Sequence, residues 1–150
     1  MLDLKFFNKV YKEVIPMFRD YIFDIKSGGK NAKDVYGKSY KQYTNLYSQR
    51  KKLGKIKRQE GKFKGSNAPV ATGDLYKDFQ KISVSNKGFS FGTVAHGGKV
   101  EGLNKMGRKL STSSTPIPED VQEFIEVFAV GYTDKRFRKE FRGGKFDLNL

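Results

Sequence analysis

Near the start of the chain, apolar residues recur at helical steps. Phe7, Tyr11, Val14, Phe18, Ile22 and Ile25 follow one another at intervals of three or four, the spacing of a single buried helix face. The pattern predicts a helix over residues 3–25. Pro16 lies inside it and is expected to end or kink it locally, because proline lacks an N–H and its ring clashes with the preceding turn. "SGGK" (Ser27–Lys30) then stops the helix. That stretch lacks the leading glycine and the four-residue spacer of a phosphate-binding loop, so it reads as a helix end.

A second helical pattern runs through "DVYGKSYKQYTNLYSQRKK". Tyr36, Tyr40, Tyr43 and Tyr47 recur at steps of four, three and four. That spacing turns all four rings one way and predicts a helix over residues 36–53. The rings are expected to pack as one amphipathic face rather than to stack on bases. "GKIKRQEGKFKGSNAP" (Gly54–Pro69) is rich in Gly and Lys and has no period, so it is expected to be a mobile loop or arm. In "ATGDLYKDFQ" (Ala71–Gln80), Thr72 is a candidate cap for a short helix that brings Leu75, Tyr76 and Phe79 to one face.

The clearest strand signal is "KISVSNKGFSFGTV" (Lys81–Val94). Ile82 and Val84 alternate with polar residues, as do Phe89 and Phe91, and "SNKG" between them has turn chemistry. A β-hairpin over residues 81–94 follows. Ala95–Pro116 holds glycines and a Ser/Thr cluster and is expected to be mostly loop. "TPIPEDVQEFIEVFAVG" (Thr115–Gly131) predicts a helix with Pro118 in its first turn, Glu119 and Asp120 at the positive end of its dipole, and Gly131 as its cap. Val121, Phe124, Ile125 and Phe128 form its apolar face. Beyond it, Phe146, Leu148 and Leu150 alternate like an edge-seeking strand. The order predicts an α+β fold: a small antiparallel sheet, made of the hairpin and an additional strand, packed with helices. The expected organisation is a single domain over 1–150, with a basic mobile arm at approximately 50–70 and a flexible C-terminal tail over 132–150.

Charge adds a partner to this picture. The formal net charge is +14, and residues 26–65, with 13 basic and 2 acidic residues, account for most of it. Residues 132–150 add a little more, and the rest is balanced. Such a segment expects a polyanion or an acidic protein surface. The candidate contacts are Arg50, Lys51, Lys52, Lys55, Lys57, Arg58, Lys62 and Lys64. No helix-turn-helix, zinc-finger or RNA-recognition motif accompanies them, so contact with nucleic acid would be insensitive to sequence.

Catalytic chemistry finds little footing. The chain has no cysteine, which removes disulfides, thiolate metal sites and Cys nucleophiles. His96 is the only histidine, and nothing local orients it as a general base. Glu119, Asp120, Glu123 and Glu126 fall on the outer face of the last predicted helix, not across a cleft. No enzyme, metal or cofactor is expected. No apolar run approaches the roughly 18 residues of a membrane span. Charges interrupt the first residues too often for a signal peptide.

The order of the motifs carries a resemblance. "DVYGKSYKQYTNLYSQRKK" resembles the glycine, bulky residue, tyrosine and basic-helix segment of phage virion-morphogenesis proteins. In that family a variable loop and a Thr/Ser-Gly-x-Leu element follow, and "VATGDLYKDF" looks like that element. A hairpin, a His-Gly segment and an arginine before the last helix complete the order; here these are the predicted hairpin, His96, Gly97 and Arg108. The resemblance covers residues 30–130. The usual Tyr-Ala pair before the histidine is reduced to Ala95, and the arm is unusually basic. The resemblance implies a non-enzymatic structural protein of a tailed phage virion, made in the host cytoplasm. It would act at the neck or tail end in head–tail joining or tail completion. Its implied partners are itself, in rings often of six subunits, the connector, neck and tail-tube proteins, and channel DNA through non-specific contacts, with no membrane. Phe146, Leu148 and Leu150 are the expected subunit contacts, by strand addition. The alternative expectation is a free-standing, sequence-independent nucleic-acid-binding protein.

Overall fold

A computed structural model describes residues 2–55, 59–70 and 73–142, without the side chains of Asn45 and of 136–142. The fold is α+β. Helix α1 (Leu4–Phe23) is followed by α2 (Asn45–Lys52), a single 3-10 turn (Gly61–Phe63), α3 (Asp74–Asp78), strands β1 (Phe79–Ser85) and β2 (Gly88–Thr93), α4 (Gly97–Lys105) and α5 (Glu119–Arg142). Among the described residues the sheet is the antiparallel β1–β2 pair alone. None of the helices among them is long and apolar enough to cross a membrane.

Helix α1 organises two clusters of buried side chains. Asp3 caps it, accepting the Phe6 N–H at 3.0 Å, which satisfies one donor orphaned at the helix start. The helix continues through Pro16. Pro16 is exposed, and so is Lys12, whose carbonyl loses its donor there and can turn to water. The buried stripe is wider than the sequence pattern suggests: Phe6, Val10, Val14, Ile15, Phe18, Ile22 and Phe23 are buried, with Phe7 and Tyr11 half-buried beside them. Toward its end α1 meets the sheet, with the Phe18 ring 5.1 Å from Phe79 and 5.2 Å from Phe91. Toward its start it meets α5, with Phe6 5.7 Å from Phe128 and 5.2 Å from Tyr132.

The hairpin forms where expected, with one irregularity. Lys81 faces Phe91 but Ser83 faces Ser90, so Ile82 is an extra residue in β1. Such a bulge resets the alternation of the strand, and it leaves Ile82 57% exposed.

Three expectations are corrected. The tyrosine stripe is not one helix: only Asn45–Lys52 is helical. The Asp34 carboxylate accepts the N–H groups of Tyr36 and Lys38 at 3.0 and 2.9 Å, and Gly37 takes φ 81°. This side-chain-closed turn outcompetes helix propagation, and the chain then runs without regular structure to Thr44. Ala95–Pro116 is not mostly loop, since α4 occupies its first half. Gly131 does not end the last helix, which runs on to Arg142. A helical glycine costs only about 1 kcal/mol, and Tyr132 beyond it is fastened to the body: its ring packs on Phe6 and its hydroxyl donates to Asp3 at 3.1 Å. The cap expected at Thr72 lies outside the described residues; Gly73 stands at the start of α3.

The described part of the basic segment is seated on the core. Phe63, Ala68 and Val70 are buried, Phe63 completely. Their seat is the "SGGK" turn. Gly28 and Gly29 have φ 65° and 84°, and a Cβ on Gly29 would lie 2.2 Å from Ser66 Oγ. Only glycine combines that conformation with that closeness of approach.

Candidate functional site

Above this seat the fold leaves a cavity of about 790 Å³. The run into α2 supplies Tyr43, Thr44 and Tyr47; the segment before and through α3 supplies Val70, Gly73 and Leu75; α4 and the residues after it supply Lys99, Leu103, Met106 and Arg108. Arg108 is placed by the end of α4. Gly107 takes φ 83°, its N–H donates to Asn104 O at 3.1 Å, and the Arg108 N–H donates to Leu103 O at 2.9 Å. This paired closure is a glycine-dependent helix stop, and it turns Arg108 back under the helix, where it is 5% exposed.

Two cations meet Tyr43 there. The Arg108 guanidinium carbon lies 3.7 Å from the ring centre, and Lys51 Nζ lies 5.0 Å from it. Tyr47 packs on the same ring at 4.6 Å. Arg108 Nη2 donates to Lys41 O at 2.7 Å, while its Nε is buried without a partner. Lys51, 1% exposed, donates to Ser66 O and to Ala68 O, the latter at 2.8 Å. Neither cation has a carboxylate at ion-pair distance among the described residues; the two ion pairs there are Lys77–Glu60 and Lys105–Glu101. Desolvation, reinforced by the nearby Arg108 charge, lowers the Lys51 ammonium to about 8. Burial raises the Tyr43 hydroxyl despite the opposing pull of Arg108.

The lowered ammonium has a measurable consequence. The folded chain releases this proton near pH 8, and the unfolded chain holds it to its ordinary value of 10.5. Between these values the unfolded state binds more protons, so stability rises with pH in that window on account of Lys51. Below it the cost of burying the charge is fully present. Urea titrations across this window should show the rise in the wild type, and Lys51→Met should flatten it. An equal rise in both proteins would remove Lys51 as its source.

The expected contact residues separate into three groups. Arg50, Lys52, Lys55, Lys62 and Lys64 are exposed, and none has an ion pair among the described residues. The end of α2 and the 3-10 segment lie side by side, since a Cβ on Gly65 would sit 3.5 Å from the Lys52 side chain and one on Gly54 3.8 Å from that of Lys64. Lys51 is corrected: it is a buried structural cation, because the carbonyls of Ser66 and Ala68 draw its ammonium inward. Lys57, Arg58, Phe146, Leu148 and Leu150 lie outside the described residues.

His96 stands at the head of α4, half-buried. Its N–H and those of Val94 and Ala95 donate to the Asp78 carboxylate at 2.8–3.2 Å. Burial alone would raise Asp78; the three donors outweigh it and hold the carboxyl below its usual range. The cluster joins the hairpin to α4 through backbone N–H groups. No group of three metal-ligating side chains occurs among the described residues. Neither the cavity nor Asp78 was read from the sequence. The left-handed glycine after "LNKM" was the available signal for a helix end at Arg108. The Asp78 partners, sixteen to eighteen residues away, left none.

Comparison with protein-family models, with curated proteins and with solved structures gives no match.

Proposed function

We propose that this chain is a structural protein of a tailed phage virion, acting at the neck or tail end in head–tail joining or tail completion, as a homo-oligomeric ring around the DNA channel. The observation that supports the reading is convergence. The motifs that carry the resemblance lie far apart in sequence, yet Tyr43 and Tyr47, Gly73 and Leu75, and Arg108 line one cavity. His96 is tied to the same region through Asp78. Motif residues that build one shared structural unit fit an assembly protein. The exposed Lys52, Lys55, Lys62 and Lys64 suit dispersed contacts to DNA passing through a channel or to an acidic neighbour.

The test is assembly. Purified chain is sedimented without nucleic acid and viewed by electron microscopy, alone and with connector and tail-tube proteins. Rings carry the reading. A chain that stays monomeric with those partners, yet binds DNA with a steep salt dependence, overturns it in favour of the free-standing nucleic-acid-binding protein.

A further inference from the structure

Helix α5 is apolar on two sides. Its inner side carries Val121 and the half-buried Phe124, Ile125 and Phe128 against α1. On its outer side, Asp120, Glu123, Val127 and Val130 recur at steps of three, four and three, and all four are exposed. Val127 and Val130 are 72% and 70% exposed. That spacing sets the four side chains on one face of the helix, and here two carboxylates lead and two valines follow along about 15 Å of helix.

The cavity has the complementary character. Arg108, buried and without a carboxylate at ion-pair distance among the described residues, lines it, and Lys99 stands exposed at the rim. Tyr47, Leu103 and Met106 give it apolar wall, and Met106 is 63% exposed. Among the described side chains, none from α5 lines this cavity. One chain therefore carries an acidic-then-apolar ridge and, elsewhere, a cationic and apolar recess, each without a counterpart inside the same molecule among the described residues.

We infer that the outer face of α5 of one copy docks at the Tyr47–Lys99–Met106–Arg108 recess of the next, carboxylates toward Lys99 and Arg108 and valines toward Leu103 and Met106. The contact is head-to-tail: different surfaces meet, so each copy leaves one of each free, and repetition closes into a ring or extends into a filament. Charge fixes direction and register, because reversing the helix would set the valines on the cations and strand the carboxylates. The inference rests on the ring reading and names the surfaces that would build it.

The absence of cysteine makes the test clean. Met106→Cys and Val127→Cys, both at exposed positions, are placed in one chain and oxidised. Head-to-tail docking predicts a disulfide-linked ladder of dimers, trimers and higher species from the double variant and no linked species from either single variant. In the cysteine-free chain, Lys99→Glu and Glu123→Lys should each weaken self-association about tenfold or more, and mixing the two should restore a pair. Linked dimers from Val127→Cys alone would mean a symmetric contact and would overturn the inference. A chain that sediments as an oligomer but yields no ladder, and is indifferent to both charge reversals, overturns these surfaces and leaves the ring standing. A wild-type chain that stays monomeric throughout overturns both.

Discussion

Phe63→Ala should lower the unfolding free energy by about 3–5 kcal/mol, the range for removing a fully enclosed aromatic ring. Phe63 sits near the end of the most basic part of the chain, flanked by Lys62 and Lys64, and it is completely buried. Its ring lies 6.0 Å from Tyr76 and against the Gly28–Gly29 turn. Ala68 and Val70 continue the same anchorage, and Lys51 is bonded to the carbonyls of Ser66 and Ala68. Loss of the ring therefore leaves a cavity in the larger cluster and frees the segment that holds Lys51. The exposed neighbour gives the control: Lys62→Ala should stay within about 0.5 kcal/mol of the wild type. Chemical denaturation of the three proteins decides. A Phe63→Ala loss as small as that of Lys62→Ala would mean that the segment does not pack as described, and that the basic run is a free arm.

The contrast between Phe63 and its neighbours shows where reading the sequence succeeds and fails. Periodic segments were legible because their partners impose the period. The α1 stripe and the first turns of α5 each bury one regular face, and β2 packs the alternating Phe89 and Phe91 on the core, so the pattern is written in the residues themselves. A lone aromatic among lysines has no period, so Phe63 was not visible as an anchor. The glycine pair before it was the only trace, and it was read as a helix end, which it also is.

The tyrosines misled for the opposite reason. Their spacing is helical, but helical spacing is necessary for a helix and not sufficient. Asp34 and Gly37 close a turn on two residues' worth of local chemistry. Tyr40 is then buried through its own contact, donating to Ile22 O at 3.0 Å. In α4 the balance ran the other way. Its glycines argue against a helix, yet Val100 and Leu103, one turn apart, pack on the core, and tertiary burial outweighs weak propensity. Of the candidate site, the sequence supplied Tyr43, Tyr47, Gly73 and Arg108 as motif residues without their meeting place. Lys51 was invisible as a buried cation because the carbonyls that hold it belong to residues fifteen and seventeen positions later.

The fate of Lys51 reshapes the electrostatic prediction. Replacing Lys52, Lys55, Lys62 and Lys64 together by Gln should flatten the dependence of log K on log salt for duplex DNA by up to about 0.9 per lysine. Four such contacts amount to roughly a hundredfold difference in affinity change between 50 and 200 mM salt. All four side chains are exposed, so the fold should survive the change, each substitution costing no more than about 0.5 kcal/mol. Discrimination between DNA sequences should not alter, because contacts to phosphate position a protein without specifying a base. Lys51→Gln should behave differently, with reduced stability and an unchanged salt slope, since its ammonium is turned away from solvent onto backbone carbonyls. If the patch meets an acidic neighbour in the neck rather than DNA, the fourfold variant should lose assembly with that neighbour in DNA-free buffer. Binding isotherms at several salt concentrations and DNA-free assembly on the same protein separate the two partners. An unchanged result in both assays would mean that the patch is a solvated surface, and the link from net charge to a polyanionic or acidic partner would fall.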